Sequence, residues 1–169
     1  EPERLVAQLT AMGSLAEQTL ADPQRAFGVY SRALRVQPEA EDVLDALLRL
    51  AKREGAEHAL WAPLAELLEV VADETDDPES SQRVIRRAGE IAMDELGETE
   101  RAIAAFAALL DDQPDDRDLL ERLRQLYEAT EAHGGQLAEV LRHQADLASG
   151  PQERSVKLSE LANVLEVQL

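Results

Sequence analysis

Apolar residues along this chain recur at the i, i+3, i+4 and i+7 spacing of one helix face, in blocks separated by proline or glycine. The first block, Glu3–Leu20, places Leu5, Leu9, Met12, Leu15, Ala16 and Leu20 on one side. Asp22-Pro23 reads as an N-cap and first helical residue, opening a second helix with Ala26, Phe27, Tyr30, Ala33 and Leu34. A third, Glu39–Arg53, carries Val43, Leu44, Leu47, Leu50 and Ala51 and closes at Gly55. Pro63 sits in the first turn of a fourth, with Leu64, Leu67, Leu68 and Val71. The fifth holds Val84, Ile85, Ala88, Ile91, Ala92 and Leu96, and Gly97 stops it. The sixth holds Ala102, Ile103, Phe106, Leu109 and Leu110. The seventh holds Leu119, Leu120, Leu123, Leu126 and Tyr127, with its stop near Gly134-Gly135. Leu137, Ala138, Val140, Leu141 and Leu147 mark the eighth, and Val156, Leu158, Leu161, Val164, Leu165 and Leu169 the ninth, from Gln152. No run alternates polar and apolar as a strand would. The pattern predicts an all-α chain of about nine helices.

The order is periodic. Residues 15–38 and 91–114 share Ala16/Ala92, Leu20/Leu96, Arg25/Arg101, Ala26/Ala102, Leu34/Leu110, Gln37/Gln113 and Pro38/Pro114 without a gap. At the same offset of 76, residues 1–54 and 77–130 are identical at 14 of 54 positions. LAELL at Leu64–Leu68 echoes LAEVL at Leu137–Leu141. Pro2, Pro38, Pro78, Pro114 and Pro151 recur at gaps of 36, 40, 36 and 37 residues, each before acidic or polar residues. Proline suits the first helical turn, where its missing N–H is not needed, and carboxylates there meet the positive end of the helix dipole. Each proline is therefore expected to start a helix. The units run approximately 2–37, 38–77, 78–113 and 114–150, two helices each, with an extra helix at 151–169. Such hairpins cannot bury their apolar faces alone, so neighbours stack in a row.

Ala26, Tyr30, Ala33 and Pro38 have the spacing of the second-helix signature of tetratricopeptide repeats, and Ala102, Phe106 and Pro114 repeat it with Leu109 in place of the second small residue. Gly97-Glu98-Thr99 resembles the Gly-led turn between the two helices of such a repeat. Nearly the whole chain resembles that family, though the first-helix Trp and Tyr of its pattern are missing. The resemblance implies a right-handed α-solenoid whose first helices line a concave, protein-binding surface. It implies polar contact residues there: Gln18, Arg49, Lys52, Arg86, Arg87, Glu90, Asp94, Gln125 and Glu128. An ordinary solvated helix face is the plainer alternative for the same residues.

Composition narrows the partners. Thirty-five Asp and Glu against 17 Lys and Arg give a formal net charge of −18, a field that repels phosphate backbones and anionic lipid heads. Nucleic acid is therefore not an expected partner. Basic or apolar protein surfaces fit better, and Arg86-Arg87 is a basic pair able to receive a carboxylate. There is no cysteine, which excludes disulfides and thiolate metal sites, and no apolar run long enough to span a bilayer.

Candidate chemistry is sparse. His58, His133 and His143 have no metal-binding or catalytic spacing, and read as exposed or capping imidazoles. The acidic runs at residues 73–77 and 111–116 lack the glycine and closing glutamate of a calcium loop, and read as solvated connections. Trp61, before Pro63, reads as a staple over the helix start. Gly13 and Gly89, at matching positions inside helices, cost about 1 kcal/mol each relative to Ala and imply close helix packing.

No catalytic residue, cofactor or metal ligand is expected. The expected function is a non-enzymatic scaffold or adaptor that binds a protein or peptide. The alternatives are a docking or regulatory arm of a larger enzyme and, against the charge, an RNA-binding helical repeat. The chain starts in register at a unit boundary and finishes on a first-type helix. It is thus expected to be a piece of a longer array, with Leu158, Leu161, Leu165 and Leu169 forming an apolar stripe for end-to-end self-association.

Overall fold

A computed structural model describes residues 2–53 and 60–168. Gly55, His58 and Leu169 lie outside them. Nine α-helices occur among the described residues, with no strand: α1 Pro2–Gln18, α2 Pro23–Val36, α3 Glu41–Lys52, α4 Trp61–Glu74, α5 Pro78–Ile91, α6 Thr99–Asp112, α7 Arg117–Glu128, α8 Gly134–Asp146 and α9 Pro151–Gln168. The chain forms two compact units, Glu1–Glu98 and Thr99–Leu169, and the division falls between the two helices of the expected unit 78–113. Each unit is a succession of helices packed on their chain neighbours, as short connections favour.

The first unit contains α1–α5. Its core gathers Leu34, Val43, Leu47, Leu50, Leu64, Leu68 and Val84, all with essentially no exposure. Burying each such aliphatic side chain contributes about 1.5–3 kcal/mol. Trp61, the first residue of α4 and not a staple ahead of its N-cap, belongs to this core at 4% exposure. Gly13 of α1 explains itself through Tyr30 of α2. A Cβ at Gly13 would stand 2.5 Å from the ring, so only glycine lets the buried aromatic lie against the α1 backbone. Gly89 is likewise buried.

The second unit contains α6–α9, with Phe106, Leu109, Leu119, Leu120, Leu123, Leu137 and Leu141 buried. Arg122 stacks over the Phe106 ring at 5.6 Å, adding cation–π attraction to burial. Arg117 donates to the Leu147 carbonyl, fixing the start of α7 to the end of α8.

Aspartate caps start three helices, α2, α5 and α7. Asp22 accepts from Arg25 N–H at 2.9 Å, Asp77 from Ser80 N–H at 2.9 Å, and Asp116 from Asp118 and Leu119 N–H at 2.9 and 3.1 Å. The acidic runs are thus spent partly on capping. Pro2, Pro78 and Pro151 begin helices as expected. Pro38 and Pro114 do not. Each follows a glutamine inside a tight turn, closed by Ala40 N–H to Gln37 O and by Asp116 N–H to Gln113 O, both at 3.1 Å, and α3 and α7 start three residues later. Proline at the second position of such a turn is preset for it.

Three further expectations need correction. In α1 the packed face is Val6, Leu9, Gly13 and Ala16, while Leu5, Met12, Leu15 and Leu20 are exposed. Gly134 and Gly135 do not stop α7, which ends at Glu128; they form the first turn of α8 after a 3-10 turn at Glu131–His133. In α9, Leu161 is buried, so it does not share an exposed stripe with Leu158 and Leu165, which are 45% and 41% exposed.

Candidate interaction face

The leading helices of the first unit, α1, α3 and α5, are tied together through their polar sides. Glu17 of α1 takes Arg49 of α3 with both carboxylate oxygens, from Nε at 3.2 Å and from Nη2 at 2.9 Å. Tyr30 O–H of α2 donates to the same carboxylate at 3.4 Å. The Arg49 hydrogen bonds hold the Glu17 carboxyl below its ordinary range, and burial pushes the Tyr30 phenol up. Arg83 of α5 donates to the Pro38 carbonyl before α3 at 3.2 Å. None of these pairings is visible in sequence spacing.

Two hollows flank α3 on this side. Between α1 and the α2–α3 turn lies a groove of about 600 Å³, lined by Ala7, Thr10, Ala11 and Ser14 and by Gln37 and Asp42. Thr10 Oγ1 is buried there without a hydrogen-bond partner. Between α3 and α5 lies a cleft of about 60 Å³, with Leu48, Trp61 and Ile91 as its apolar wall and Lys52, Arg87, Glu90, Asp94 and Glu95 around it. Arg87 pairs with Glu90 at 2.7 Å within α5. The Glu17–Arg49 pair belongs to the same two helices, α1 and α3, that border the groove.

The structure therefore brings Lys52, Arg87, Glu90 and Asp94 to one cleft and puts Arg49 in an ion pair with Glu17. Gln18 is exposed at the end of α1 and Arg86 is half-buried on α5. Gln125 and Glu128 belong to the second unit. There Arg124 bridges Glu121 and Glu128, and Gln125 Nε2 donates to Glu121 at 3.1 Å. Arg124 first, then Gln125 and Gln144, hold the Glu121 carboxyl down at about 2. A cavity of about 200 Å³ opens beside it, where Arg117, Glu121, Gln144, Glu153 and Lys157 surround Leu120 and Leu147. Sequence reasoning overlooked Glu17, Leu48, Ile91 and Glu95, because helix periodicity marks them as ordinary core or surface positions.

The two described histidines, His133 at the N-cap position of α8 and His143 within it, each meet a carboxylate. His133 is largely covered, with Nε2 at 3.1 Å from Glu100 and its ring 5.2 Å from that of Tyr127. His143 Nε2 stands 3.0 Å from Asp115, which joins α8 to the turn before α7. Among the described residues, no group of three or more His, Asp or Glu is arranged to hold a metal ion, and no helix is long and apolar enough to cross a membrane. Comparison with protein-family models, curated proteins and solved structures finds no match to this chain.

Proposed function

We infer that this chain is a non-enzymatic, tetratricopeptide-like protein-binding module, and that the polar side of α1, α3 and α5 receives a segment of a partner protein. The observation that carries this reading is the pair of hollows flanking α3 on a side of mixed charge. The α3–α5 cleft, at about 60 Å³, is far below the several hundred Å³ that enclose a small-molecule ligand. It suits one side chain of a longer segment. Trp61, Leu48 and Ile91 supply an apolar wall, with Lys52, the Arg87–Glu90 pair, Asp94 and Glu95 around it. Such mixed charge gives register and specificity more than raw affinity. Against the chain's overall negative field, the local cations Lys52 and Arg87 call for a segment that presents acceptors to them within an otherwise basic or apolar stretch.

The test is selection of binders from a displayed peptide library with the 169-residue chain, followed by competition with variants. Selected segments are expected to lose binding to Arg49→Glu and to Lys52→Glu. Segments that bind both variants as they bind the parent chain would overturn the assignment of this face.

A further inference from the structure

α7, α8 and α9 restate α3, α4 and α5. α3 and α7 keep the 76-residue offset; a shorter connection then sets α8 and α9 at an offset of 73, Trp61 matching Gly134 and Pro78 matching Pro151. In the first copy Val71 and Val84, at 1% and 0% exposure, belong to one buried cluster, and Leu44 packs against it. Their counterparts in the second copy are Gln144, Lys157 and Leu120. Two polar side chains thus stand where the other copy has buried valines, and there the cavity of about 200 Å³ opens. Leu44, Val71 and Val84 all come from α3, α4 and α5 themselves, so the difference between the copies lies in these side chains. Polar residues at apolar core positions cost stability unless they meet a partner, and such departures from local consistency mark functional sites.

Gln144 is held one way round. Its Nε2 donates to Glu121 at 3.3 Å, and an ionised carboxylate only accepts, so Oε1 is the end left over. That oxygen is buried without a hydrogen-bond partner and calls for a donor. Arg124 keeps the neighbouring Glu121 ionised. Lys157 spends one of an ammonium's three N–H groups on Glu160, at 3.1 Å. With Arg117 and Glu153, the lining carries two cations and two carboxylates around Leu120 and Leu147. A ligand of one sign answers only half of these groups; one bearing both signs and an apolar part answers them all. The volume is below the several hundred Å³ of drug-sized pockets, so the ligand is small. We propose that this cavity binds a free α-amino acid with an aliphatic side chain. Its ammonium meets Gln144 Oε1 and Glu121, its carboxylate turns to Lys157 and Arg117, and its side chain lies on Leu120 and Leu147. The site is separate from the cleft between α3 and α5.

The test titrates L-leucine and L-valine into the full 169-residue chain, labelled at its leucine methyls, up to about 10 mM, where a site of about 1 mM is nearly saturated. The expected result is a saturable shift of the Leu120 and Leu147 methyls, with the counterpart Leu44 unmoved. Leucinamide, which lacks the carboxylate, and N-acetylleucine, which lacks the ammonium, are each expected to bind at least tenfold more weakly. The double variant Gln144→Val, Lys157→Val gives the second copy the valines of the first. It is expected to lose the shifts while melting no lower than the parent; if it does melt lower, Gln144→Leu alone replaces it, with the same loss expected. The variant Lys52→Glu is expected to bind leucine as the parent does, which keeps this site distinct from the proposed partner face. No shift at Leu120 and Leu147, an equal shift at Leu44, or equal binding of leucine, leucinamide and N-acetylleucine would each overturn the proposal. Parent-like binding by the valine variant, or by Gln144→Leu in its place, would overturn it too.

Discussion

Ala21 and Gly97, 76 residues apart, hold the same left-handed turn at the end of a leading helix. Their φ angles are 49° and 66°. The next residue's N–H closes back over six residues in both, Asp22 to the Ala16 carbonyl at 3.0 Å and Glu98 to the Ala92 carbonyl at 2.8 Å. Glycine takes this conformation freely, whereas a Cβ there costs roughly 1–2 kcal/mol. One copy of the repeat therefore carries strain that the other avoids. Ala21→Gly is expected to stabilise the chain by about 0.5–1 kcal/mol and Gly97→Ala to destabilise it by about 1 kcal/mol. Urea unfolding of both variants checks the opposite signs.

The contact between Gly13 and Tyr30 has the reverse logic. A methyl group at Gly13 would penetrate the Tyr30 ring, which is buried and cannot swing clear. Gly13→Ala is expected to cost about 1–3 kcal/mol by overpacking, despite alanine's better helix propensity. Combining it with Tyr30→Leu should restore part of the loss. A double variant that is merely the sum of two destabilising changes would show that the two residues do not press on one another.

Acid should unfold the chain partly through Glu121 and Glu17. Both carboxyls are depressed in the folded state, Glu121 from 4.5 to about 2 by Arg124, Gln125 and Gln144, and Glu17 by Arg49. A depressed carboxyl binds its proton more weakly when folded, so its stabilisation is complete above the unfolded value. It fades as pH falls from about 4.5 towards 2. The urea midpoint of the parent chain is expected to drop through that window, and Glu121→Gln to flatten the drop. An identical pH profile in Glu121→Gln would contradict the role given to the Arg124 cluster.

Much of the architecture was legible in residue spacing. α2 and α6, at Pro23–Val36 and Thr99–Asp112, and α3 and α7, at Glu41–Lys52 and Arg117–Glu128, keep the 76-residue offset at both ends. Small residues beside an aromatic, as at Ala26, Tyr30 and Ala33, encode close packing locally, and all three are buried. What stayed hidden depends on contacts between distant residues. Glu17 and Arg49 are 32 positions apart, and Arg83 and Pro38 are 45 apart. α1 is apolar on two sides, so a 3.6-residue period does not say which side is covered; Val6 and Leu9 turned inward and Leu5 and Met12 did not. Pro38 and Pro114 misled because proline fits the second position of a tight turn as well as it fits a first helical turn.

The account rests on a partner segment lying against the cleft between α3 and α5. Calorimetric titration of a selected segment into the parent chain and into the Lys52→Ala, Arg87→Ala double variant tests that most directly. Loss of two interfacial cations at a desolvated contact is expected to weaken binding at least tenfold, about 1.4 kcal/mol, with folding unchanged. Equal affinity for the two proteins would contradict it.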